Sequence, residues 1–309
     1  MNIIEGEKEF PQPNNAVVTI GTFDGVHFGH QKILKRVTSL ASKHNGESVL
    51  VTFWPHPRFI LSPDDDKLKL LSTFEEKAEL MRSVGFDYIV KIPFTTEFSQ
   101  LTSEEFTQKV LVDKIGTRHL VIGYDHRFGK NREGGFDYLK TNEGKFGFQV
   151  EEIPKQEIDD VSVSSTKIRT ALLTGDIKNA TNYLGRHYSI TGKVVSGARL
   201  GRELGYPTAN IQIQESYKLI PTDGAYAVRV VVEDRIFEGM MNIGVRPTVD
   251  GSERKIEAHI FDFQQDIYGQ EVTVSFVEMI REETKFSDIN GLRDQLSLDK
   301  QKAQAILSA

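Results

Sequence analysis

Residues 16 to 30 read AVVTIGTFDGVHFGH. The apolar run at the start of this stretch predicts a buried strand over 16–23, and the next residues, HQKILKRVTSLASKH, predict a helix over 30–44. A strand that turns directly into a helix is the first half of a βαβ unit. The stretch therefore predicts a parallel sheet with helices packed against it.

The same alternation continues to about residue 184. Further strands are predicted over 48–54, 86–94 and 119–124, and further helices over 74–85, 103–116 and 164–185. Helices of this length between strands indicate right-handed crossovers and a parallel sheet covered on both faces. Because such sheets bind ligands at the carboxyl ends of their strands, the turns after the strands become the candidate sites.

The pattern changes after Gly185. β-Branched and aromatic runs follow one another without a helix-length segment between them; they cover 187–195, 225–233, 235–244, 254–263 and 271–280. Turn residues separate these runs, which predicts a compact antiparallel barrel or sandwich. A closing helix is predicted over 287–307, and the domain boundary near 184–187.

Composition narrows the class of protein. The 309 residues are 39% hydrophobic and 27% charged, which is typical of globular proteins. The net charge of −6 is divided evenly, with 23 basic against 26 acidic residues before position 185 and 15 against 18 after it. This balance disfavours a nucleic-acid or membrane-surface partner, which would need a basic excess.

Cysteine is absent from the chain, which excludes disulfides, thiolate metal sites and a cysteine nucleophile. The N-terminus lacks the pattern of a signal peptide, and no apolar run approaches the roughly 20 residues that span a bilayer. A cytoplasmic location is predicted. The sequence leaves the oligomeric state open.

His27 and His30 lie in the turn between the first predicted strand and its helix. Backbone N–H groups and the helix dipole make such a turn an anion site, and Gly25 and Gly29 allow a phosphate to approach closely. Two imidazoles there can donate hydrogen bonds to a phosphate in a transition state. Two alternatives remain open: a pair of ordinary surface residues, or a metal pair, for which zinc would need a third protein ligand.

Three other turns of the first half carry polar side chains. Ser164, Ser165 and Thr166 begin a predicted helix with Lys167 and Arg169 in its first turn, and two cations at a positive helix end favour a bound polyphosphate. The loops after two other strands present the remaining candidates; these are His56 beside Trp54, and Asp125 with Arg127. Whether Trp54 is a stacking surface or part of the core stays open.

The second half carries its own constellation. Gly197, Gly201 and Gly205 oppose a helix and indicate a loop that approaches a ligand closely. Pro207 follows, and Thr208 and Asn210 point the same way if they begin a strand, which offers a hydroxyl and an amide oxygen to magnesium. Glu257 lies within a predicted strand, where it is either an exposed carboxylate or a base for an alcohol.

Six motifs occur here in one order: HxGH, the PHP turn, GxDxxFG, SSTxIR, PTAN and the strand glutamate. In these motifs and their order the chain resembles the prokaryotic bifunctional riboflavin kinase/FMN adenylyltransferase family, also called FAD synthetase. The resemblance implies a Rossmann-like α/β nucleotidyltransferase domain over 1–184. It implies an all-β, antiparallel, Greek-key-like barrel over 185–309, ending in a helix, as the riboflavin kinase domain.

The resemblance also implies the substrates and the residue roles. ATP phosphorylates riboflavin to FMN with Mg²⁺, and a second ATP adenylylates FMN to FAD with release of pyrophosphate. Glu257, His27 and His30 take the catalytic roles, and Thr208 and Asn210 hold the metal. The ATP and phosphate positions are Gly21, Phe23, Asp24, Gly29, Ser164, Ser165, Thr166, Arg169, Gly201, Gly205 and Pro207. The flavin and nucleotide side has Asp125, Arg127 and His56.

Two other functions remain to be distinguished. A nucleotidyltransferase acting on another small phosphate, such as a pantetheine or nicotinate derivative, would leave the PTAN barrel unused. A non-catalytic flavin-binding or regulatory protein would need neither Glu257 nor the paired histidines. Formation of both FMN and FAD from riboflavin and MgATP separates these alternatives.

Overall fold

A computed structural model of the chain describes residues 1–6, 12–62, 68–155, 163–197, 200–248, 251–286 and 288–309. The chain forms two compact units, Met1–Ser165 and Thr166–Ala309. The two helices that precede the barrel fall in the second unit. The catalytic domain boundary between 184 and 185 stays a prediction.

The first unit contains the predicted parallel sheet. Within the described residues its strands are β1 (Asn2–Glu5), β2 (Val17–Ile20), β3 (Ser48–Trp54), β4 (Tyr88–Pro93), β5 (His119–Gly123) and β6 (Gln149–Ile153). They lie in the order β1-β4-β3-β2-β5-β6, and every neighbouring pair is parallel. The predicted fold class is confirmed, with two edge strands, β1 and β6, added to it.

Helices connect these strands. They are α1 (Phe28–Lys43), α2 (Pro57–Leu61), α3 (Phe74–Val84), α4 (Thr96–Ser99), α5 (Ser103–Phe106), α6 (Phe136–Thr141) and α7 (Glu143–Phe146). α5 continues as a π-helical turn over Thr107–Val112. α3 begins with a capping box between Thr73 and Glu76, and it ends at Gly85 in the left-handed conformation (φ 90°), as its sequence predicts.

Both faces of the sheet are buried. Val17 packs with Leu34 of α1 and Met81 of α3, whereas its neighbour Val18 packs in a separate cluster with Phe106. Successive side chains of a strand point to opposite faces, so each strand supplies both clusters. This double burial explains why the strands read as continuous apolar runs.

The strand order fixes where a ligand can bind. The chain passes from β2 to β3 to β4 in one direction, and then returns to place β5 on the other side of β2. The crevice between the carboxyl ends of β2 and β5 is therefore the topological switch point, where open parallel sheets bind ligands. The turn that contains His27 leaves β2 at this point.

The prediction of one continuous helix over 164–185 was wrong in one respect, because this segment forms two helices. α8 (Ser165–Leu173) and α9 (Ile177–Leu184) are separated by Gly175 in the left-handed conformation (φ 77°). The side chain of Asp176 then caps α9 by accepting a hydrogen bond from the backbone N–H of Asn179 (3.2 Å). A Cβ at residue 175 would also collide with Met279, so glycine is required at the break.

The second unit contains a closed antiparallel barrel, which confirms the predicted class. Its strands are β7 (Ser189–Val195), β8 (Ala209–Gln212), β9 (Gly224–Val232), β10 (Arg235–Thr248), β11 (Gly251–Ile260) and β12 (Glu271–Glu282). They close in the order β10-β11-β8-β7-β12-β9. The non-sequential neighbours β8–β11 and β9–β12 give the connections their Greek-key-like character.

Two helices accompany the barrel. α10 (Leu200–Glu203) is a single turn within the glycine-rich segment, so the prediction that this segment lacks helix was wrong over these four residues. A single turn forms because Gly201 is the only glycine among residues 200–203. The turn ends before Gly205, which is in the left-handed conformation (φ 87°). The closing helix, α11 (Ile289–Leu307), is confirmed and starts behind the cap of Asp288.

A buried ion pair attaches α11 to the barrel. The guanidinium of Arg281 on β12 donates to both carboxylate oxygens of Asp299, with N···O distances of 2.9 to 3.1 Å, and the Asp299 side chain is 3% exposed. Gln295 also donates to Asp299 (2.8 Å). The pair is bidentate and shielded from water, the geometry in which loss of one partner is most damaging.

We therefore expect Asp299→Ala to lower the free energy of unfolding of the second unit by about 3 kcal/mol, because the Arg281 charge would stay buried without its partner. Urea unfolding followed by circular dichroism measures the change. Asp294→Ala, at an exposed position of the same helix, is the matched control. Equal effects of the two substitutions would contradict this account of the pair.

Candidate active sites

The turn after β2 has an uncommon backbone. Phe23 (φ 46°), Gly25 (φ 79°) and Val26 (φ 41°) are all left-handed. Non-glycine residues rarely adopt this conformation, and a β-branched residue such as Val26 does so least readily. A Cβ at Gly25 would lie 2.7 Å from the side chain of Leu71. Backbone strain of this kind is concentrated at functional sites.

His27 and His30 form a stacked pair at the start of α1. His27 is the N-cap residue, and its Nδ1 accepts a hydrogen bond from the backbone N–H of His30 (3.3 Å). The two rings are nearly parallel (15°), with centroids 3.6 Å apart. The helix begins at Phe28, two residues before its predicted start, so that both imidazoles lie at its positive end.

His30 is held in its neutral form. Its ring lies between the rings of His27 and Phe23, the latter at a centroid distance of 4.9 Å. Burial lowers the pKa of His30 well below its ordinary value, and the nearby charges of His27 and Lys77 lower it further. Nδ1 of His30 is buried and has no hydrogen-bond partner among the described residues.

Asp24 anchors the turn. Its Oδ1 accepts hydrogen bonds from the backbone N–H groups of Leu71 (2.9 Å) and Ser72 (3.2 Å), and its carbonyl accepts one from the hydroxyl of Ser165 (3.0 Å). The backbone N–H of Gly25 donates to the hydroxyl of Ser72 (3.1 Å). The Asp24 carboxylate thus ties the strained turn to the segment before α3.

The glycines of this turn make room for its rings. A Cβ at Gly21 would lie 2.8 Å from the ring of Phe23, which itself packs on His30. Gly29 is buried in the first turn of α1. Gly21 thus lies against Phe23, Phe23 contacts His30, and Gly29 precedes His30 in the helix.

Two neighbouring strands bring further candidates to the same edge of the sheet. His56 follows β3, and its Nδ1 caps α2 by accepting from the backbone N–H of Arg58 (3.2 Å). Asp125 and Arg127 follow β5 and are exposed. Because β3, β2 and β5 are adjacent and parallel, their carboxyl ends lie at one edge. Any direct role of these three side chains in binding stays a prediction.

The loop after β5 also contains a residue to which the sequence reading gave no role. His126 stacks on Phe128, and burial lowers its pKa to about 4, with Arg127 and Arg132 lowering it further. Backbone hydrogen bonds in both directions between Phe128 and Gly134 (3.0 Å each) close this loop. It is a compact, cationic hairpin beside the switch point.

The serine-rich helix start divides between the units. Ser164 is half-buried, and Ser165, the first residue of α8, belongs to the first unit and contacts Asp24 as described. Thr166, Lys167 and Arg169 belong to the second unit. Their proposed contact with a polyphosphate stays a prediction.

The metal-pair alternative for the histidines finds no third ligand. In the part of the chain that the structure describes, no group of three or more histidine, aspartate or glutamate side chains is arranged to hold a metal ion. The stacked geometry also directs the two rings at each other. Hydrogen bonding of the pair to an anion stays a prediction.

In the barrel, Glu257 lies in a row of polar side chains across three strands. It pairs in register with Asn210 of β8 on one side and with Asn242 of β10 on the other. Residues directly opposite each other in a sheet share a face, so the carboxylate lies between two amides. Oγ1 of Thr208, just before β8, lies 3.5 Å from Oε2 of Glu257.

The glycine-rich segment packs closely around this row. A Cβ at Gly197 would lie on the amide of Asn210, and a Cβ at Gly201 would collide with the carbonyl of Tyr206 and approach the Thr208 hydroxyl. The carbonyl of Pro207 is 2.8 Å from Nδ1 of His259. Burial lowers the pKa of His259, although its contact with Pro207 opposes that shift.

Two cavities lie near this row and share Thr208. One, of about 480 Å³, is lined by Thr208, Glu257 and Asn242 together with the apolar side chains of Met240 and Leu296. The other, of about 350 Å³, is lined by Arg202, Pro207 and the segment 263–268. Thr208 lines both cavities. The arrangement can hold two ligands that approach each other at Thr208, and Glu257 lines the larger of the two cavities.

Several residues of these sites escaped the sequence reading. Lys77 sits on the buried face of α3, and the signal for it was a charged residue within an apolar stripe. Asn242 and His259 line the larger cavity, and the signal for His259 was its i+2 spacing from Glu257 on one strand. Neither signal identifies a site residue unless the strand register is known.

The fold and the two sites define a nucleotide-dependent transferase with two active sites. A family model described as FAD synthetase matches residues 9–167, and one described as riboflavin kinase matches residues 184–307. The chain belongs to the bifunctional riboflavin kinase/FMN adenylyltransferase family. Its adenylyltransferase part is N-terminal and its kinase part is C-terminal.

Curated relatives support the assignment over nearly the full length. The bifunctional riboflavin kinase/FMN adenylyltransferase of Listeria monocytogenes is 38% identical, with 95% of this chain and 93% of that protein covered. The protein of the same description from Escherichia coli K12 is 33% identical, with 98% and 97% covered.

A solved structure shows the same architecture. A crystal structure described as a macrolide-efflux protein from Streptococcus pneumoniae matches with a TM-score of 0.88 and 32% identity, and 98% of each chain is covered. Its description differs from that of the curated relatives and of both family models, which name flavin enzymes. The family assignment rests on the curated relatives and the two family models.

No helix among the described residues has the length and apolar character needed to cross a membrane.

We expect Asp24→Ala to lower the free energy of unfolding of the first unit by about 2 kcal/mol, because two buried backbone N–H groups would lose their acceptor. Hydrogen exchange of the Leu71 and Ser72 amides should accelerate together. Asp24→Asn, which keeps an acceptor oxygen, is the control and should show a smaller effect. Unchanged exchange at both amides in the alanine variant would contradict the anchoring role.

Proposed function

We propose that the barrel transfers the γ-phosphoryl group of ATP to the 5′-hydroxyl of riboflavin, and that the parallel-sheet unit then transfers AMP from a second ATP to the FMN formed. The observation that carries this proposal is the presence of two unlike constellations. A carboxylate that lines a cavity suits attack by a neutral alcohol, whereas a pair of imidazoles at a helix N-terminus suits attack by an anion.

The kinase step needs a base. A hydroxyl must lose its proton as its oxygen bonds to the γ-phosphorus, while the bond to the β-phosphate oxygen breaks and ADP leaves. Glu257 takes that proton. The more apolar cavity, with Met240 and Leu296, holds the flavin ring, and the second cavity holds the nucleotide, so that Thr208 lies where the hydroxyl and the phosphate meet.

Magnesium fits the donor set beside Glu257. A hydroxyl oxygen from Thr208 and an amide oxygen from Asn210 are hard ligands, and Mg²⁺ is bound by a few such protein oxygens together with substrate phosphates. When bound there, the ion would neutralise charge on the transferred phosphate. Gly201, Gly205 and Pro207 shape the loop so that its backbone approaches the same phosphates.

The adenylyl step needs no base. A phosphate oxygen of FMN bonds to the α-phosphorus of ATP, the bond to the β-phosphate breaks, and pyrophosphate leaves. His27 and His30 donate hydrogen bonds to the α-phosphate where charge develops. Gly21, Phe23, Asp24 and Gly29 form the turn, and Ser164, Ser165, Thr166 and Arg169 hold the triphosphate. His56, Asp125 and Arg127 line the flavin and nucleotide side.

The domain bounds, the partners and the location are proposed on the same grounds. We propose 1–184 and 185–309 as the two catalytic domains, with α8 and α9 as the connecting segment. ATP, riboflavin and FMN are the partners, nucleic acid and membrane are not, and the site of action is the cytoplasm. A single incubation with riboflavin and MgATP tests the alternatives, since only the bifunctional enzyme yields both FMN and FAD.

Glu257→Ala should lower the rate of FMN formation from riboflavin by at least about a hundredfold, because the alcohol loses its base. FAD formation from supplied FMN should continue. Chromatography of the flavin products measures both rates. Glu257→Gln tests the charge alone, and Glu238→Gln, on the exposed part of β10, is the matched control. Equal loss of both activities in a folded variant would contradict the two-site assignment.

The double substitution of His27 and His30 by alanine should stop the pathway at FMN, because the α-phosphate loses its donors. The chain offers a matched control, since His44 and His119 form a second stacked pair (centroids 4.2 Å apart) and His119 begins β5 at the opposite edge of the sheet. Their double alanine variant should keep FAD output. Continued FAD output from the His27/His30 variant would remove the proposed role.

A further inference from the structure

Lys77 is a buried cation for which the reaction scheme has no role. It lies on α3 in the apolar stripe of Phe74, Ala78 and Met81, and the residue is 7% exposed. Lysine side chains usually keep the ammonium in water, and its burial without close compensation is costly. Such a residue is retained where its charge is used.

The ammonium of Lys77 lies under the turn that carries the histidines. Nζ donates a hydrogen bond to Oγ1 of Thr52 (3.3 Å), which is fully buried on β3. β3 pairs in register with β2, and the backbone N–H of Gly21 donates to the carbonyl of Val51, next to Thr52 (3.0 Å). The Lys77 charge is therefore placed at the carboxyl end of the sheet.

Three charged or titratable groups on other elements face Lys77. Asp24 in the turn attracts its charge, Lys91 on β4 repels it, and His30 on α1 has its own pKa lowered by it. Asp24 already accepts two backbone hydrogen bonds, and Lys91 pairs with Glu5 (3.0 Å). Burial is the main cause that lowers the pKa of Lys77 to about 8.

We infer that Lys77 is a positioning residue of the adenylyl-transfer site, whose buried ammonium at the carboxyl end of the sheet adds to the positive potential that attracts the triphosphate. The inference rests on the proposed role of the histidines. Nucleotide binding is favoured when Lys77 is charged, because its ammonium attracts the negative charge of the triphosphate in a site with little water.

The charge of Lys77 should appear in the pH dependence of nucleotide capture. The ammonium is charged below about pH 8 and neutral above it. We therefore expect kcat/KM for MgATP, in FAD formation from FMN, to fall as the pH rises through about 8, since this ratio reports the free enzyme.

Lys77→Met in the full chain should lower kcat/KM for MgATP at pH 7 by at least about tenfold and remove the alkaline fall, because one positive charge near the phosphates is lost. Lys77→Arg should keep the charge at all pH values tested and move the fall to higher pH. Lys109→Met, an exposed cation of the same unit, is the control. In the methionine variant, the pKa of His30 measured by NMR should rise, which a purely structural role would not produce.

Circular dichroism and slow hydrogen exchange of the Leu71 and Ser72 amides, which lie in the same unit as Lys77, report that each variant remains folded. Wild-type pH dependence and kcat/KM in Lys77→Met would overturn the inference. If that variant does not fold, Lys77→Arg decides, and an alkaline fall at the wild-type position would overturn it. Failure of the proposed function is distinct, because wild-type enzyme would then make no FAD from FMN, or would make it without His27 and His30.

Discussion

The adenylyltransferase site depends on one carboxylate. Asp24 holds the turn after β2 by accepting two backbone hydrogen bonds from the segment before α3. Without them, Phe23 and Val26 would have to keep a left-handed backbone against their own steric preference. Because the turn is held, α1 begins with two stacked imidazoles at its N-terminus. The positions of His27 and His30 are thus consequences of a contact made by a residue three positions before the first of them.

The two units position their polar side chains in different ways. In the parallel sheet, the strands are buried on both faces, so chemistry is confined to the turns at one edge. In the barrel, a polar row crosses three strands on a single face, with Glu257 between Asn210 and Asn242. In such a row, strand register fixes the positions of the side chains, so the backbone need not be strained. The glycines around it serve mainly to let neighbouring segments approach.

Much of this could be predicted from the sequence. Periodicity predicted the central strands, the main helices and the change of architecture near residue 185, because burial imposes those patterns directly. It missed β1, which is exposed, and β6, whose alternation is interrupted by Glu151 and Glu152. It also joined α8 to α9, since the apolar spacing continues across Gly175. Motifs supplied the proposed site residues, whose roles stay predictions, but Asn242, His259 and Lys77 are brought near them by strand register and helix packing, which single-residue patterns do not contain.

The stacking of His27 on His30 has a consequence for how this pair handles protons. Two imidazolium rings with centroids 3.6 Å apart would repel strongly in a site with little water, so a positive charge on one ring opposes a positive charge on the other. The stacking therefore limits how much positive charge the side chains of this turn can present to an incoming nucleotide. The rest of the attraction for the phosphates has to come from the helix N-terminus and from neighbouring cations.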